Sequence, residues 1–189
     1  MVLLAFIGRF NANTKNKCKV QVGGVGVNIQ KLRWVGYSVH LNGVSQTDQR
    51  DTTDGQGNDI VFEGHQIPNQ LMVNIDILSS NQLHVGTPAT FDQAGGNFTQ
   101  RHPYSQALPL ALDDSLVTTK FGLGDTTFTI NKRIHKDIEI EVLKFDDKGE
   151  LVPMDTDAPA ITTSGSKKTG SVQLQSVILY FQYDFVSYF

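Results

Sequence analysis

The sequence predicts an all-β protein: an antiparallel β-sandwich of the jelly-roll type, with about eight to ten strands and long loops, in a single domain over residues 1–189. Three observations lead to this prediction. Apolar and polar residues alternate in several short segments, which is typical of half-buried strands. Polar stretches rich in Gly, Asn, Ser and Thr separate those segments, as in turn-rich β proteins. A length of 189 residues suits one domain with a sizeable core.

The closing segment, residues 171–189, is the most apolar and aromatic part of the chain. From Val177 to Phe185 every second residue is apolar, whereas the earlier apolar residues Val172 and Leu174 follow the opposite phase. A one-residue change of phase moves side chains to the other face of a sheet. We therefore predict a long strand with a β-bulge near Ser176.

Other segments show the same alternation. In 32–41 it places Tyr37 on one face and Trp34 on the opposite face, and Asn42-Gly43 predicts a hairpin at the end of that strand. Residues 46–58, 86–107 and 155–170 are polar and are predicted as loops, while 108–119 fits either a strand or a short helix. The remaining predicted strands are residues 1–10, 18–22, 60–62, 71–78, 83–85, 126–130, 137–145 and 150–154.

The charge is unevenly distributed. The net charge of −3 argues against a sequence-specific nucleic-acid binder. Residues 1–47 nevertheless carry six basic residues and no acidic one, so the remainder carries −9. This asymmetry suggests contact between residues 1–47 and an acidic neighbour, an inner membrane or a genome. A basic edge strand that lysines keep from aggregating is the alternative. We read residues 1–10 as a strand, and neither as a signal peptide nor as a membrane span.

No catalytic signature is present, and we expect neither an enzyme nor a cofactor. The single cysteine, Cys18, alternates with Val20 and Val22 and is interpreted as a small buried residue. The five histidines lie 18 or more residues apart and form no zinc motif. Glu139 and Glu141 share a strand face, where such acids face a sugar in some lectins or, more simply, face solvent.

The loop around residues 51–59 is the best metal candidate, because clustered oxygen ligands near glycines suit Ca²⁺. It lacks the EF-hand spacing that ends in a glutamate, so we predict no metal site. The alternative for this loop is a solvated turn held by hydrogen bonds of Asp side chains.

Three stretches together resemble the small single jelly-roll proteins of icosahedral viral capsids, including penton (vertex) proteins. They are residues 32–43, residues 137–153 and the closing aromatic strand 171–189. The resemblance implies a virion protein assembled in the host cytoplasm or nucleus. It also implies self-assembly, with a pentamer favoured and a trimer as the alternative, and contacts to other capsid proteins.

Four residues are candidates for the interface between subunits: Trp34, Phe185, Tyr188 and Phe189. Large aromatic residues are frequent anchors of protein interfaces. For Trp34, burial under a second layer of the same chain is an equal alternative.

Two other classes of function remain open at this stage. One is an oligomeric recognition module, such as a trimeric ligand of the C1q or tumour-necrosis-factor type, a lectin, or the tip of an adhesin or spike. The other is a jelly-roll enzyme whose metal ligands come together only in the fold.

Overall fold

A computed structural model of the chain describes residues 2–21, 31–76, 78, 107–123, 126–129 and 137–183. These residues form fourteen strands and one four-residue helix, α1 (Gln46–Gln49). The strands are β1 (Val2–Arg9), β2 (Lys17–Gln21), β3 (Lys31–Asn42), β4 (Thr52–Thr53), β5 (Asp59–His65), β6 (Gln70–Ile75), β7 (Leu108–Ala111), β8 (Val117–Phe121), β9 (Thr127–Thr129), β10 (Asp137–Phe145), β11 (Leu151–Pro153), β12 (Ile161–Ser164), β13 (Lys167–Gly170) and β14 (Gln173–Tyr183).

Two antiparallel sheets form the sandwich. Sheet A has the order β1-β14-β3-β8, with β9 also paired to β3, and sheet B has the order β11-β10-β6-β7, with β2 also paired to β10. The principal strands are β1, β2, β3, β6, β7, β8, β10 and β14. Among them the first pairs with the last, the second with the seventh, the third with the sixth and the fourth with the fifth. This nested pairing is that of a long hairpin rolled into two sheets, so the predicted jelly roll is confirmed.

A third, smaller sheet has the order β12-β13-β5-β4 and contains a parallel pair, β13 with β5. Residues 155–170 were predicted as a loop, which is wrong, because β12 and β13 lie within them. Their Thr, Ser and Lys side chains are polar on both sides of β12, so no alternation marks them as strands. The predicted loop 46–58 likewise contains α1 and β4, and residues 108–119 contain β7 and the start of β8 rather than a helix.

Strand β14 carries the predicted bulge. Its pairing with β3 shifts register between Leu174 and Ser176, and Gln175 between them is exposed. Beyond the bulge Val177, Leu179 and Phe181 are fully buried, as their alternation predicted.

The core lies between sheets A and B. The ring of Phe181 packs 5.4 Å from that of Phe6 on β1 and 6.4 Å from that of Phe128 on β9, measured between centroids. From sheet B, β10 contributes Ile138 and Ile140, both buried on the face that the alternation predicted. Three aromatic rings from three strands thus surround one point of the core.

Trp34 does not lie on the face opposite Tyr37, and that prediction was wrong. The pairing of β3 with β14 shifts between Gly36 and Trp34, which leaves Val35 as an extra residue. This bulge turns Trp34 inward, where it is 6% exposed and its ring stacks 6.0 Å from that of Tyr37. Of the two alternatives for Trp34, burial within the chain is the one observed.

The predicted hairpin at Asn42-Gly43 is also wrong. Strand β3 ends there, but the next strands belong to the small sheet and do not pair with β3. Gly43 serves a close approach instead, because a Cβ added to it would lie 2.3 Å from Nε2 of His65. The hairpin at residues 146–154 is confirmed: β10 pairs with β11, and the Asp146 carboxylate accepts hydrogen bonds from the N–H groups of Lys148 and Glu150.

Because Phe181 is fully buried among aromatic rings, we expect the Phe181→Ala substitution to lower the free energy of unfolding by about 3–5 kcal/mol. Urea denaturation measures this value. The control is Phe121→Ala, at a side chain that is 62% exposed, for which the loss is expected to stay below about 1 kcal/mol. If Phe181→Ala does not fold, Phe181→Leu supplies the comparison. Equal losses at the two positions would contradict this description of the core.

Candidate functional site

The outer face of sheet A carries a group of apolar side chains, here called the apolar face. The pairing registers align Ala5 with Tyr180, Gly36 and Phe121 in one row, and Ile7 with Ile178 in the next. The apolar face consists of Leu3, Ala5, Ile7, Val117, Phe121, Ile178 and Tyr180. Four of these side chains are about half exposed or more: Leu3 59%, Ile7 46%, Val117 53% and Phe121 62%.

Strand β1 is apolar on both of its sides. Phe6 points into the core and is 1% exposed, whereas Leu3 and Ile7 point outward. An antiparallel sheet with one solvated face normally alternates apolar with polar residues. The sequence of β1 therefore indicates a second apolar surface. The sequence analysis interpreted residues 1–10 only as an apolar strand and did not predict that surface.

An aromatic pair forms the centre of the apolar face. The rings of Phe121 and Tyr180 lie 5.0 Å apart between centroids, on the two strands that flank Gly36 of β3. A Cβ at Gly36 would lie 2.4 Å from Cδ1 of Phe121 and 2.6 Å from the carbonyl oxygen of Lys120. Glycine at this position is what allows the Phe121 ring to lie across the strand.

Beside the apolar residues runs a short polar row. The hydroxyl groups of Ser38 and Thr119 are 2.8 Å apart, and Nε2 of His40 lies 3.1 Å from the Ser38 oxygen. A serine next to a histidine suggests a nucleophile and its base. Ser38 is only 4% exposed, however, and no carboxylate of the described residues bonds to His40. The row provides hydrogen-bond partners for the buried Ser38 hydroxyl and has no geometry for attack on a substrate.

The outer face of sheet B is charged. The Lys17 ammonium lies 3.2 Å from the Glu141 carboxylate and 4.0 Å from that of Glu139, and Lys19 pairs in register with Glu139. Glu139 and Glu141 thus lie beside lysines, which is the arrangement of a solvent-facing strand. Two basic residues of the N-terminal quarter accordingly meet acidic residues of the same chain. The outer face of sheet A is apolar, whereas the outer face of sheet B is ionic where β2 meets β10.

Cys18 is buried at 8% exposure beneath β1, as its alternation with valines predicted. Burial raises the pKa of the Cys18 thiol to about 11, and the nearby charge of Glu139 adds to this effect. A hydrogen bond between the sulfur and the backbone of Arg9 acts in the opposite direction and is the smaller contribution. A thiol in this state is a poor nucleophile.

The loop considered for calcium forms a hydrogen-bonded turn, the alternative given above. The Asp54 carboxylate accepts the N–H groups of Gln56 and Asn58, each at 2.8 Å, and the side-chain amide of Asn58 at 2.9 Å. These bonds, led by that of the Asn58 side chain, lower the pKa of Asp54. Asp51 accepts the N–H of Phe62 at 3.1 Å. Within the described ranges no group of three His, Cys, Asp or Glu side chains is placed to hold a metal ion.

Of the four predicted interface residues, the structure describes only Trp34. Trp34 lies in the core, and Phe185, Tyr188 and Phe189 lie outside the described residues. The same holds for His84, His102 and His135 and for the predicted strand 83–85.

Comparison with protein-family models, with curated proteins and with solved structures finds no match to this chain. In the part of the chain that the structure describes, no helix is long and apolar enough to span a membrane.

The raised pKa of Cys18 predicts slow alkylation. At pH 8 a thiol of pKa about 11 is roughly one part in a thousand thiolate, against about a quarter for an unfolded cysteine. We expect iodoacetamide to modify the native chain at least about 100-fold more slowly than the urea-unfolded chain. The same shift means that burial of Cys18 supports stability below the unfolded pKa of about 8.5, and that this support is lost as the pH rises toward 11. Equal rates of modification in the native and unfolded chains would show that the thiol is accessible.

Proposed function

We propose that this chain is a structural coat protein of an icosahedral virus, a penton (vertex) or minor coat protein, which acts by self-assembly and by contact with neighbouring coat proteins in the virion. The observation that carries the proposal is the apolar face on one outer sheet of a jelly roll. Viral capsid proteins are among the proteins that use this fold. Exposed apolar patches with polar surroundings mark surfaces that other proteins cover.

The free energy gained by covering the apolar face suits an assembly that many weak contacts hold together. Its four most exposed side chains, Leu3, Ile7, Val117 and Phe121, are about half covered already. Burying the surface of these side chains that is still exposed contributes roughly 1 kcal/mol for each side chain, or about 4 kcal/mol per copy. Association costs at least about 4 kcal/mol, so one such contact is marginal and depends on concentration. Closed symmetric oligomers give each copy several contacts, which is how weak faces form stable shells.

The charged outer face of sheet B supports an orientation within such an assembly. Its Lys17–Glu141 pair is satisfied within the chain, and the Lys17 side chain is 53% exposed. Exposed ion pairs contribute little to stability and lose nothing by remaining in water. We therefore assign sheet A to the contacts and sheet B to solvent.

One observation favours a second candidate, an oligomeric recognition module such as a lectin or a trimeric ligand. Aromatic side chains on a surface bind sugars or protein partners through their flat faces, and the Phe121–Tyr180 pair offers such a surface. A trimeric mass together with glycan binding would favour this candidate over the coat protein.

Native mass spectrometry and sedimentation over a range of concentrations test the favoured proposal. We expect a ring-forming oligomer, most simply a pentamer, at high concentration. A chain that stays monomeric throughout would contradict self-assembly.

Matched substitutions connect the assembly to the apolar face. Val117→Thr removes an apolar group from the face, and Val61→Thr makes the same change at a 45% exposed position on the small sheet. Phe121→Thr and Phe145→Thr form a second pair, since Phe145 is 43% exposed on β10. We expect Val117→Thr and Phe121→Thr to weaken association by about tenfold or more, and the two controls to leave it within about twofold. Equal effects within each pair would show that the apolar face takes no part in the assembly.

A further inference from the structure

Strand β1 is an edge strand without the usual protection. Within the described residues it pairs only with β14. Soluble proteins protect free edges with lysine, proline or short strands, because an unprotected edge pairs with other chains. The other edge strands of the two main sheets show such protection: Lys17 and Lys19 in β2, Pro109 in β7, Lys120 in β8, Pro153 in the three-residue β11, and the length of only three residues in β9. Strand β1 has eight residues, with neither proline nor any charge before Arg9.

The hydrogen bonding of β1 shows which backbone groups face the free edge. The N–H of Phe10 donates to the carbonyl of Gln175 at 2.8 Å, directly opposite in the register. In an antiparallel ladder, residues that bond across alternate with residues whose N–H and C=O groups point away. Leu4, Phe6 and Gly8 therefore bond to β14, and the backbone groups of the odd-numbered residues from Leu3 to Arg9 point to the free edge.

An independent contact agrees with this assignment. The backbone of Arg9 forms a hydrogen bond with the sulfur of Cys18 on β2. No described residue donates to or accepts from the edge-facing groups of Leu3, Ala5 and Ile7. Among the described residues, three N–H and three C=O groups of this edge thus have no partner strand.

We propose that β1 of a second copy of this chain pairs antiparallel with this edge, across a two-fold axis at Ala5. The inference rests on the proposed function for its occupant, a second copy. It specifies a contact between copies of two different rings, because a two-fold contact does not occur within a five-fold ring. Leu3 of each copy then lies opposite Ile7 of the other, and Ala5 lies opposite Ala5. All three residues have edge-facing backbone groups, so the two strands form six N–H···O bonds.

The sequence of β1 fits itself in this register. Leu3 and Ile7 point to the same outer face, as residues directly opposite in an antiparallel pair must. Aliphatic residues meet, and no like charges lie opposite each other. The register that places Leu3 opposite Arg9 has the same parity, but the backbone of Arg9 already bonds to the sulfur of Cys18. Pairing through Ala5 also joins the apolar faces of both copies into one continuous surface.

Cross-linking tests this contact directly. Cα atoms of a hydrogen-bonded antiparallel pair are about 5.5 Å apart, within the range of about 4.4–6.8 Å that a disulfide requires. We expect the Ala5→Cys variant to form a covalent dimer under mild oxidation. The control is Thr163→Cys, at an exposed position on β12, the edge of the small sheet, and it is expected to stay monomeric on a denaturing gel. We expect no covalent dimer through Cys18, because that thiol is buried and its pKa is raised.

A backbone substitution tests the hydrogen bonds. Because the N–H of Ala5 points to the free edge, Ala5→Pro removes no bond to β14 but blocks the incoming strand. Ala5→Thr is the control, since it keeps the N–H and suits a strand. We expect both variants to show the same circular dichroism spectrum, and Ala5→Pro to weaken association at least about tenfold relative to Ala5→Thr.

Charge exchange tests the register. Leu3→Glu and Ile7→Lys are each expected to weaken association, and the double variant to recover it, because each glutamate would face a lysine of the other copy.

The proposal is overturned if Ala5→Cys cross-links no more than Thr163→Cys, or if Ala5→Pro associates like Ala5→Thr. A wild-type chain that never associates would reject the proposed function as well. Oligomers that form without cross-linking at Ala5 would reject only this two-fold contact.

Discussion

The rest of the fold depends on the pairing of strand β14 with its two neighbouring strands. Strand β14 lies between β1 and β3 in sheet A and pairs with both of them. Through β14 the first and last strands of the sandwich are neighbours, and the buried row from Val177 to Phe181 meets the core residues of both sheets. Its bulge at Gln175 keeps Leu174 and Val177 both buried, although they lie three residues apart. Within the described residues this arrangement leaves β1 at the edge of sheet A, paired only with β14.

The two surfaces of the sandwich follow from the residue types on a few strands. On β10 acidic residues alternate with buried isoleucines, and lysines of β2 neutralise them, so the outer face of sheet B is suited to water. On β1 both sets of alternate residues are apolar, so the outer face of sheet A is not. Phe121 and Tyr180 extend that face across Gly36. An apolar face beside an unprotected edge gives the molecule one region suited to other copies of itself, and this is the basis of the proposed coat function.

Alternation predicted the bulge near Ser176 and the buried face of β10, because each is a local pattern of apolar residues. The jelly roll followed from the alternating segments together with the polar stretches between them and the chain length. It failed where a neighbouring strand determines the outcome. The bulge at Val35 that turns Trp34 inward depends on the register with β14, which the sequence of β3 does not contain. Gly43 appeared to be a turn residue, but it makes room for the His65 ring from a distant strand. Of the small sheet only β5 was predicted, because β12 and β13 have polar side chains on exposed faces. The buried Lys168 of β13 donates a hydrogen bond from its ammonium group to the Arg50 carbonyl. The apolar face was visible in Leu3 and Ile7, yet only the structure shows that they point to the same side as Phe121.

The central claim is that sheet A, with its edge strand β1, is the surface covered by other copies of the chain. Amide hydrogen exchange at single-residue resolution, compared between dilute and concentrated protein, tests it most directly. The amides of Leu4, Phe6 and Gly8 bond to β14 and should be protected at both concentrations. We expect the edge-facing amides of Leu3, Ala5 and Ile7 to exchange rapidly in dilute protein and to become protected as the protein associates. If association leaves those three amides exchanging rapidly while residues elsewhere become protected, another surface forms the assembly and the account is wrong.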